Sequence, residues 1–240
     1  MVERRISIVT GTLNRRHCLP RLIANTVDAD PRLELVLVDG GSDDGTLEYV
    51  KGLSHPAIRL VEIGHRSPYP QFMNTGVRAA ACDYVCQWND DVYLVNRWDE
   101  VFRALDQSEV YLFAWAKQRH IPWLRRWVLI DTVQPDGSGQ IVMNYGIYHK
   151  DVFRKVGLYN EEYHFYCADG DLSYRAWAFG CTVKRLPKVR VVSRRGVRKS
   201  RHYDLAADLA LYEKCRALYF RRELPPNITY LEPAASSASR

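Results

Sequence analysis

Apolar residues in the first half of the chain alternate between short β-branched runs and longer segments with helical spacing. "RRISIVT" precedes "CLPRLIANTV", and "LELVLVDGG" precedes a helical segment from about Asp43 to Lys51. "IRLVEI" and "QFMNTGVRAAA" repeat the alternation, and "DYVCQW" predicts a fourth strand. Continuous apolar strands separated by helices predict a mostly parallel central sheet with helices on both faces. The expected fold class is therefore α/β.

The length of 240 residues fits one large domain or two small ones. Because nothing repeats internally and no linker interrupts the pattern, we expect one domain. Only the final "PAASSASR" reads as unstructured. No apolar run approaches the roughly 18 residues of a membrane span. The run after "MVERR" is too short to be a signal peptide. We expect a cytoplasmic protein without a transmembrane segment, and association with a membrane surface stays open.

The net charge is +6, and much of it comes from arginines in the last third of the chain, as in "SRRGVRKSRH". Such a charge suits an anionic ligand or an anionic surface, although a solvated basic face is the simpler interpretation. The six cysteines form no CxxC pair and no zinc-like cluster. They are interpreted as reduced thiols.

Polar residues stand where three predicted strands end. Strand one ends in "TGTLNRR", strand two in "DGGSDDGT" and strand four in "NDD". In open α/β sheets ligands bind outside the carboxyl ends of the strands. One crevice is therefore expected to collect Thr10, Asp39 and Asp91. The adjacent carboxylates of Asp90 and Asp91 repel each other, so a compensating partner is expected; capping of the helix around "NRWDEVFRAL" is the alternative.

The loop "VDGGSDDGT" has the composition of a tight turn before a helix. Gly40 and Gly41 permit the turn, and Ser42 or Asp43 can cap the helix. Asp39 can accept hydrogen bonds from a ribose hydroxyl or a base N–H, or it can be a turn residue. Neither a Walker A loop nor GxGxxG is present. A nucleotide-binding signal must therefore come from several segments in combination.

The segments "IVTGTLNRR", "VLVDGGSDDGTLEYV", "FMNTGVRAAACDYV" and "QWNDDVYL", in this order, resemble the family 2 glycosyltransferases. These are inverting enzymes with the GT-A fold, and the resemblance runs from about Ile6 to Val192. It implies transfer of a sugar from a UDP-, dTDP- or GDP-sugar to a hydroxyl of a glycan or another acceptor. It also implies a domain over 1–222, with a donor half of about 1–95 and an acceptor half of about 96–222, and a tail over 223–240.

The resemblance assigns roles to matching residues. It places seven residues at the nucleotide-sugar: Thr10, Asn14, Arg15, Asp39, Gly41, Ser42 and Asn74. The segment of Asn89, Asp90 and Asp91 resembles the family's DxD, with Asn in the first position. Asp91 is then the ligand of a divalent cation, Mn²⁺ or Mg²⁺, and Asn89 and Asp90 face the donor, with Asp90 at its ribose or sugar. Such a cation with two phosphates would offset the repulsion between the carboxylates.

The segment "VGLYNEEYHFYCADGDLSYRAWAFGC" resembles the acceptor segment of the family, with a helix from Leu172 to Phe179. Asp169 matches the residue that deprotonates the acceptor hydroxyl; the alternative is a helix-capping Asp. Many relatives have Glu where this chain has Ala168. Asp171 is interpreted as a carboxylate favoured by the helix dipole.

Many relatives place a His after the strand "KVRVV", where this chain reads "SRRG". His202 lies further on and is a candidate metal ligand, with a surface histidine as the alternative. Basic residues of the same stretch can clamp the diphosphate; they are Arg194, Arg195, Arg198, Lys199 and Arg201. Trp115, Trp123 and Trp127 stack on sugars or belong to the core.

Two other functions stay open. Asn89, Ala168 and the displaced histidine fit a catalytically silent nucleotide-sugar-binding protein. The pI of about 9.0 and the interleaved aromatics fit a nucleic-acid-binding protein. The sequence contains no recognisable nucleic-acid-binding motif, however, and nucleic acid is not an expected partner. The expected partners are a nucleotide-diphosphate sugar and a glycan, lipid-linked or protein-linked acceptor.

Overall fold

A computed structural model describes residues 5–132, 145–193 and 205–233 of the chain. Within these ranges the strands are β1 (Ile6–Thr12), β2 (Leu33–Asp39), β3 (Ile58–Glu62), β4 (Tyr84–Gln87), β5 (Val92–Leu94), β6 (Val110–Ile121), β7 (Arg126–Thr132), β8 (Gly146–His149) and β9 (Val183–Ser193). The α-helices are α1 (Leu19–Asn25), α2 (Thr46–Leu53), α3 (Tyr69–Ala79), α4 (Trp98–Ala104), α5 (Lys150–Lys155), α6 (Ala168–Ala178) and α7 (Leu205–Phe220).

All described strands belong to one sheet in the order β3-β2-β1-β4-β8-β6-β9-β5, with β7 paired to β6. The strands β3, β2, β1 and β4 are mutually parallel. The strand β8 is antiparallel to both β4 and β6, so β6 runs in the same direction as β1. This α/β sheet confirms the expected fold class. In the described ranges, every antiparallel pair includes β7, β8 or β9, which are strands from the second half of the chain.

Side-chain alternation along the buried strands builds a core on each face of the sheet. Ile8 packs on one face with Leu22 of α1 and Val101 of α4. Val9 packs on the other face with Val77 of α3 and a cluster that also includes α5 and α6 residues. Successive residues of a strand point to opposite faces, so a strand buried on both sides is apolar throughout. Helices therefore cover both faces, as the sequence predicts.

Gly76 brings α3 close to the sheet. A Cβ atom at this position would lie 2.2 Å from Val9 Cγ1, closer than real contacts allow. The "MNTG" segment therefore needs glycine for packing as well as any role in the site. This contact fixes α3 directly over β1.

Two helices begin at residues other than those expected. Helix α2 begins at Thr46, and its N-cap position is Gly45, which has a φ of 83° and no capping side chain. Neither Ser42 nor Asp43 therefore caps the helix, and the Asp44 carboxylate accepts a hydrogen bond from the Thr46 N–H in the turn before it. Helix α6 begins at Ala168, four residues before the expected Leu172, and follows Cys167 with a φ of 63°. The apolar periodicity begins only at Leu172, so it misses the first turn, which is largely buried but contains Asp169, Gly170 and Asp171.

Residues 223–233 lie against the domain. The Leu158 N–H donates to the Thr229 carbonyl at 2.8 Å, and Ile228 is buried. Asn227 donates to Glu162 at 2.7 Å. A boundary between domain and tail at 222 stays a prediction. In the described part of the chain, none of the helices combines the length and apolar character needed to cross a bilayer.

Candidate active site

The acidic segment follows β4 at the edge of the sheet where β1 and β2 also end. Asp90 is buried; its Oδ2 accepts a hydrogen bond from Thr12 Oγ1 at 3.1 Å and lies 3.5 Å from Arg15 Nε. Burial raises the pKa of Asp90 to about 6, Arg15 opposes that shift, and Asp91 adds to it. Asn89 donates to Tyr145 Oη at 3.1 Å. The half-buried Asp91 is thus the carboxylate of the segment that lies nearer to solvent.

Thr12, which sequence reasoning missed, is the threonine that reaches this segment. Thr10 lies inside β1, is fully buried, and its hydroxyl donates to the Gly11 carbonyl at 3.3 Å. Thr12 is the last residue of β1 and points to the same face two residues later. The motif "TGT" contains both threonines, and only the strand end distinguishes them. The role of Thr10 at the nucleotide stays a prediction.

The loops after β1 and β2 hold each other in place. The Asn14 N–H donates to Ser42 Oγ, and the Asn14 side-chain oxygen accepts from the Asp43 N–H, each at 2.9 Å. Asn14 has a φ of 54°, a conformation that Asn tolerates better than most residues. These contacts give Asn14 and Ser42 a structural function. Their contacts with a donor stay predictions.

Asp39 organises the turn that follows β2. Its Oδ1 accepts from the N–H groups of Gly41 and Ser42 at 2.8 and 2.9 Å, and its Oδ2 accepts from Ser42 Oγ at 2.5 Å. Gly41 has a φ of 85°, and a Cβ there would lie 2.8 Å from the Gly64 carbonyl oxygen. The turn interpretation therefore describes the buried Asp39. The ribose or base contact stays a prediction.

Asn74 links α3 to the acceptor segment. Its side-chain nitrogen donates to the Tyr159 carbonyl and to Glu161, at 2.9 and 2.7 Å. Its oxygen accepts from the Tyr159 N–H at 2.9 Å. Asn74 is fully buried. These bonds account for the side chain on their own, and a place in the nucleotide pocket stays a prediction.

Asp169 lies in the first turn of α6, next to the end of β4. The Gly170 N–H donates to its Oδ1 at 2.9 Å, and Ser173 Oγ donates to its backbone carbonyl. Burial raises the pKa of Asp169 to about 6, opposed by hydrogen bonds from Gly170 and from the Gln87 side chain. Gln87 precedes Asn89 by two residues. The candidate base and the acidic segment are therefore joined through the end of one strand.

Asp171 lies in the first turn of α6, where the helix dipole favours a carboxylate, and it also belongs to a buried network. It is fully buried, accepts from Tyr163 Oη and Tyr219 Oη, and lies 3.3 Å from the guanidinium of Arg175. Arg175 in turn donates to the carbonyls of Val156 and Leu158. The helix-dipole interpretation stays a prediction, and the sequence does not reveal that Asp171 also faces the interior. This network leaves Asp169 as the carboxylate of the pair that is available for chemistry.

Asp208, on α7, positions the acceptor loop and was missed by sequence reasoning. Its carboxylate accepts from the N–H groups of His164, Phe165 and Tyr166, at 2.9, 3.0 and 2.7 Å. Asp208 is buried, and it reaches this loop from a position 42 residues after Tyr166 in the chain. Three donors to one carboxylate fix the backbone that leads into Cys167 and α6. The sequence offers no signal for this contact.

The acidic segment can bind a divalent cation if a substrate supplies the remaining ligands. In the described ranges, no group of three or more His, Cys, Asp or Glu side chains could hold a metal alone. Mg²⁺ is commonly held by one or two carboxylates plus substrate phosphates. The adjacent carboxylates of Asp90 and Asp91, one of them buried, provide that kind of donor set. His202 and the basic stretch of Arg194, Arg195, Arg198, Lys199 and Arg201 lie outside the described residues.

The sheet, with acidic residues beyond the carboxyl ends of its parallel strands, places these side chains where open α/β folds bind ligands. The sequence profile of glycosyl transferase family 2 matches residues 7–132, more than half of the chain. The chain therefore belongs to glycosyl transferase family 2 and is a glycosyltransferase enzyme.

Individual relatives are similar at low identity. The chain is 25% identical over 202 residues to polyprenol monophosphomannose synthase of Mycolicibacterium smegmatis, covering 76% of each chain. It resembles the mannosyltransferase PcManGT of Pyrobaculum calidifontis, solved with GDP-Man and Mn²⁺, with a TM-score of 0.62 at 18% identity over 94% of this chain and 67% of that one. S. aureus TarS 1-349, solved with UDP-GlcNAc, gives a TM-score of 0.69 at 16% identity over 91% and 67%.

Proposed function

We propose that the chain is an inverting glycosyltransferase that binds a nucleotide-diphosphate sugar at the edge formed by β1, β2 and β4. The proposed cofactor is Mn²⁺ or Mg²⁺, held by Asp91, and the proposed base is Asp169. The observation that supports the proposal best is the link through Gln87 between Asp169 and the acidic segment. A single displacement needs a base on one side of the anomeric carbon and a stabilised leaving group on the other. The two carboxylate regions are suited to these two positions.

The donor is proposed to be a UDP-, dTDP- or GDP-sugar. PcManGT was solved with GDP-Man and TarS with UDP-GlcNAc, which supports this range of donors. The acceptor is proposed to be a hydroxyl of a glycan, lipid-linked or protein-linked molecule. The similarity to polyprenol monophosphomannose synthase favours a lipid-linked acceptor among these. A donor half of about 1–95 and an acceptor half of about 96–222 correspond to these two substrates.

The proposed mechanism assigns each step to residues of the chain. Asp169 accepts the proton of the acceptor hydroxyl as the new bond forms, and its pKa of about 6 suits a base at neutral pH. Gln87 and the Gly170 N–H orient the carboxylate. Arg15 and Thr12 hold Asp90 in place beside Asp91. When bound, the cation would offset the negative charge that develops on the departing diphosphate.

A thermal-shift experiment tests the donor site. A panel of UDP-, dTDP- and GDP-sugars that includes GDP-mannose and UDP-GlcNAc is added with and without Mn²⁺, and a ligand that binds only the native state raises Tm. We expect stabilisation by at least one nucleotide sugar that largely needs the metal. Asp91→Asn should abolish the metal-dependent part, whereas Asp39→Ala should weaken donor binding with and without metal. No response to UDP-, dTDP- or GDP-sugars would contradict the proposal.

Asp83→Asn is the matched control for Asp91→Asn. Asp83 is exposed and lies just before β4, whereas Asp91 follows the same strand at the opposite edge of the sheet. The control should keep the full metal response. If both variants keep it, Asp91 is not the metal ligand.

A turnover measurement tests the proposed base. Asn89 in the acidic segment and Ala168 beside Asp169 depart from the pattern that the sequence comparison leads us to expect, so the role of Asp169 needs its own experiment. Release of nucleoside diphosphate, by transfer or by slow donor hydrolysis, reports turnover. Turnover that Asp169→Asn reduces supports Asp169 as the base, and turnover that this variant keeps contradicts it.

A further inference from the structure

The hairpin of β6 and β7 extends past the rest of the sheet. β6 pairs with β9 only as far as Ala116, opposite Val192. Its pairing with β7 continues to Ile121, opposite Arg126. Among the described residues, the last part of β6 therefore has β7 as its strand partner. A two-stranded ribbon of this kind gains little stability from its own contacts.

The hairpin rises from the edge of the sheet that holds the candidate site. β6 runs in the same direction as β1 and β4, so its carboxyl end points to the same edge. Val192 is opposite both Ala116 of β6 and Tyr93 of β5, and β5 directly follows Asp91. The five residues from Lys117 to Ile121 add about 17 Å of strand beyond that level. The tip thus extends beyond the acidic segment.

The tip combines exposed apolar side chains with basic ones. A 3₁₀ turn over Pro122–Leu124 closes it, with Trp123 82% exposed and Leu124 41% exposed. Arg119, Arg125 and Arg126 are also exposed. Residues 110–130 contain four Lys or Arg and no Asp or Glu. The tip is therefore an apolar projection surrounded by positive charge.

This combination matches an anionic bilayer surface more closely than a polyanion in water. Trp is favoured at the boundary between headgroups and hydrocarbon, where its ring is amphipathic. Basic residues near the surface are attracted by anionic lipids. A nucleic acid would use the arginines but would not require burial of Leu124. A largely exposed Trp at the end of a projecting ribbon also costs solvation free energy that docking would recover.

We propose that the tip of the β6–β7 hairpin docks on an anionic lipid bilayer and holds the candidate site toward the headgroups. Docking itself follows from the hairpin. The further assignment, that the acceptor is lipid-linked and reached from the membrane, rests on the proposed transferase function. Because the hairpin and the acidic segment share one edge, a docked molecule presents its donor site to acceptors at the bilayer.

Vesicle co-sedimentation of the full chain tests the proposal. The probes are phosphatidylcholine vesicles and vesicles of equal parts phosphatidylcholine and phosphatidylglycerol. We expect binding to the second type that falls as salt rises. Trp123→Ser should weaken it about tenfold through loss of apolar burial. Arg125→Asn with Arg126→Gln should weaken it roughly 30-fold through loss of two charges, and Asn suits the φ of 47° at position 125.

Matched controls remove the same groups elsewhere on the surface. Trp177→Ser removes a Trp that is 50% exposed on α6. Arg97→Gln with Arg103→Gln removes two arginines whose side chains are 83% and 73% exposed. Both controls should bind vesicles as the wild type does, and all variants should keep the wild-type Tm. Brominated lipids should quench tryptophan fluorescence in the wild type and less so in Trp123→Ser.

Three results would overturn the proposal. The first is no binding of the wild type to anionic vesicles, and the second is an equal loss of binding in the hairpin and control variants. The third is that wild type and Trp123→Ser have equal affinity for vesicles and both bind single-stranded DNA. The donor thermal shift is measured on the same samples. A donor response without vesicle binding refutes docking alone, whereas vesicle binding without any donor response supports docking and refutes the assignment of a lipid-linked acceptor.

Discussion

The proposed donor and acceptor halves of the molecule differ in how their acidic residues are bonded. In the donor half, Asp90 and Asp91 stand side by side at a strand end, and Asp91 is half-buried. In the proposed acceptor half, two buried carboxylates bind other groups of the chain: Asp171 binds an arginine and two tyrosines, and Asp208 binds three backbone N–H groups. Only Asp169 of that group lies beside Gln87 at the site. In the proposed function, the acidic segment is therefore the part that accepts a cation, whereas the first turn of α6 holds one carboxylate in place.

The largest effect on stability should come from the buried pair of the acceptor half. Asp171→Asn leaves the Arg175 guanidinium buried without its counter-charge, which we expect to cost about 3–5 kcal/mol. Chemical denaturation measures the loss. Asp151→Asn is the control, because Asp151 forms an ion pair with Arg154 and its side chain is largely exposed. We expect this variant to lose about 0–1 kcal/mol. Equal costs for the two variants would show that the buried network does not stabilise the fold.

Asp169→Asn should leave the fold and the donor site intact but lower kcat by at least about 100-fold. The amide keeps the shape and a hydrogen-bonding oxygen but cannot accept the proton at neutral pH. Rate measurements at saturating donor, with Mn²⁺ present, detect the change. Retained transfer in this variant, together with loss in a folded Asp171→Asn, would move the base to Asp171.

Asp208→Ala should affect the acceptor half alone. It removes the acceptor of three N–H groups, and we expect a loss of about 1–3 kcal/mol together with a lower kcat, because the loop before Asp169 is released. Donor affinity with Mn²⁺ should stay at the wild-type value. Asp208→Asn keeps a single acceptor oxygen and should recover part of the rate. A variant that loses donor affinity as much as rate would contradict the separation of the two halves.

The transfer rate should fall on the acid side of about pH 6. Asp169 must be ionised to act as a base, so kcat drops about tenfold for each pH unit below its pKa of about 6. The pKa of Asp169 is higher in the folded than in the unfolded chain, so its protonation stabilises the fold. That contribution to the free energy of unfolding is fully present below about pH 4 and is lost as pH rises through 6. In Asp169→Asn the acid limb of kcat should disappear. An unchanged acid limb would assign it to another group.

The sequence predicts the donor half well because its signals are local. The order of strands and helices, the turn at Gly41 and the carboxylates after β4 are all visible in short segments. The acceptor half depends on contacts between residues far apart in the chain, such as Asp208 with the loop at His164 and Asp171 with Tyr219. The distinction between Thr10 and Thr12 also depends on a strand end that composition does not mark. Propensity and periodicity do not report such contacts.

The stereochemistry of donor cleavage tests the central claim most directly, since one displacement by a base on the far side of the sugar must invert the anomeric centre. An α-linked donor such as GDP-mannose is incubated with the protein and Mn²⁺, and the first sugar product, transferred or hydrolysed, is observed by proton NMR before mutarotation. The account predicts a β-configured product that Asp169→Asn forms at least about 100-fold more slowly. An α-configured first product, or a β product formed at an undiminished rate by Asp169→Asn, would contradict it.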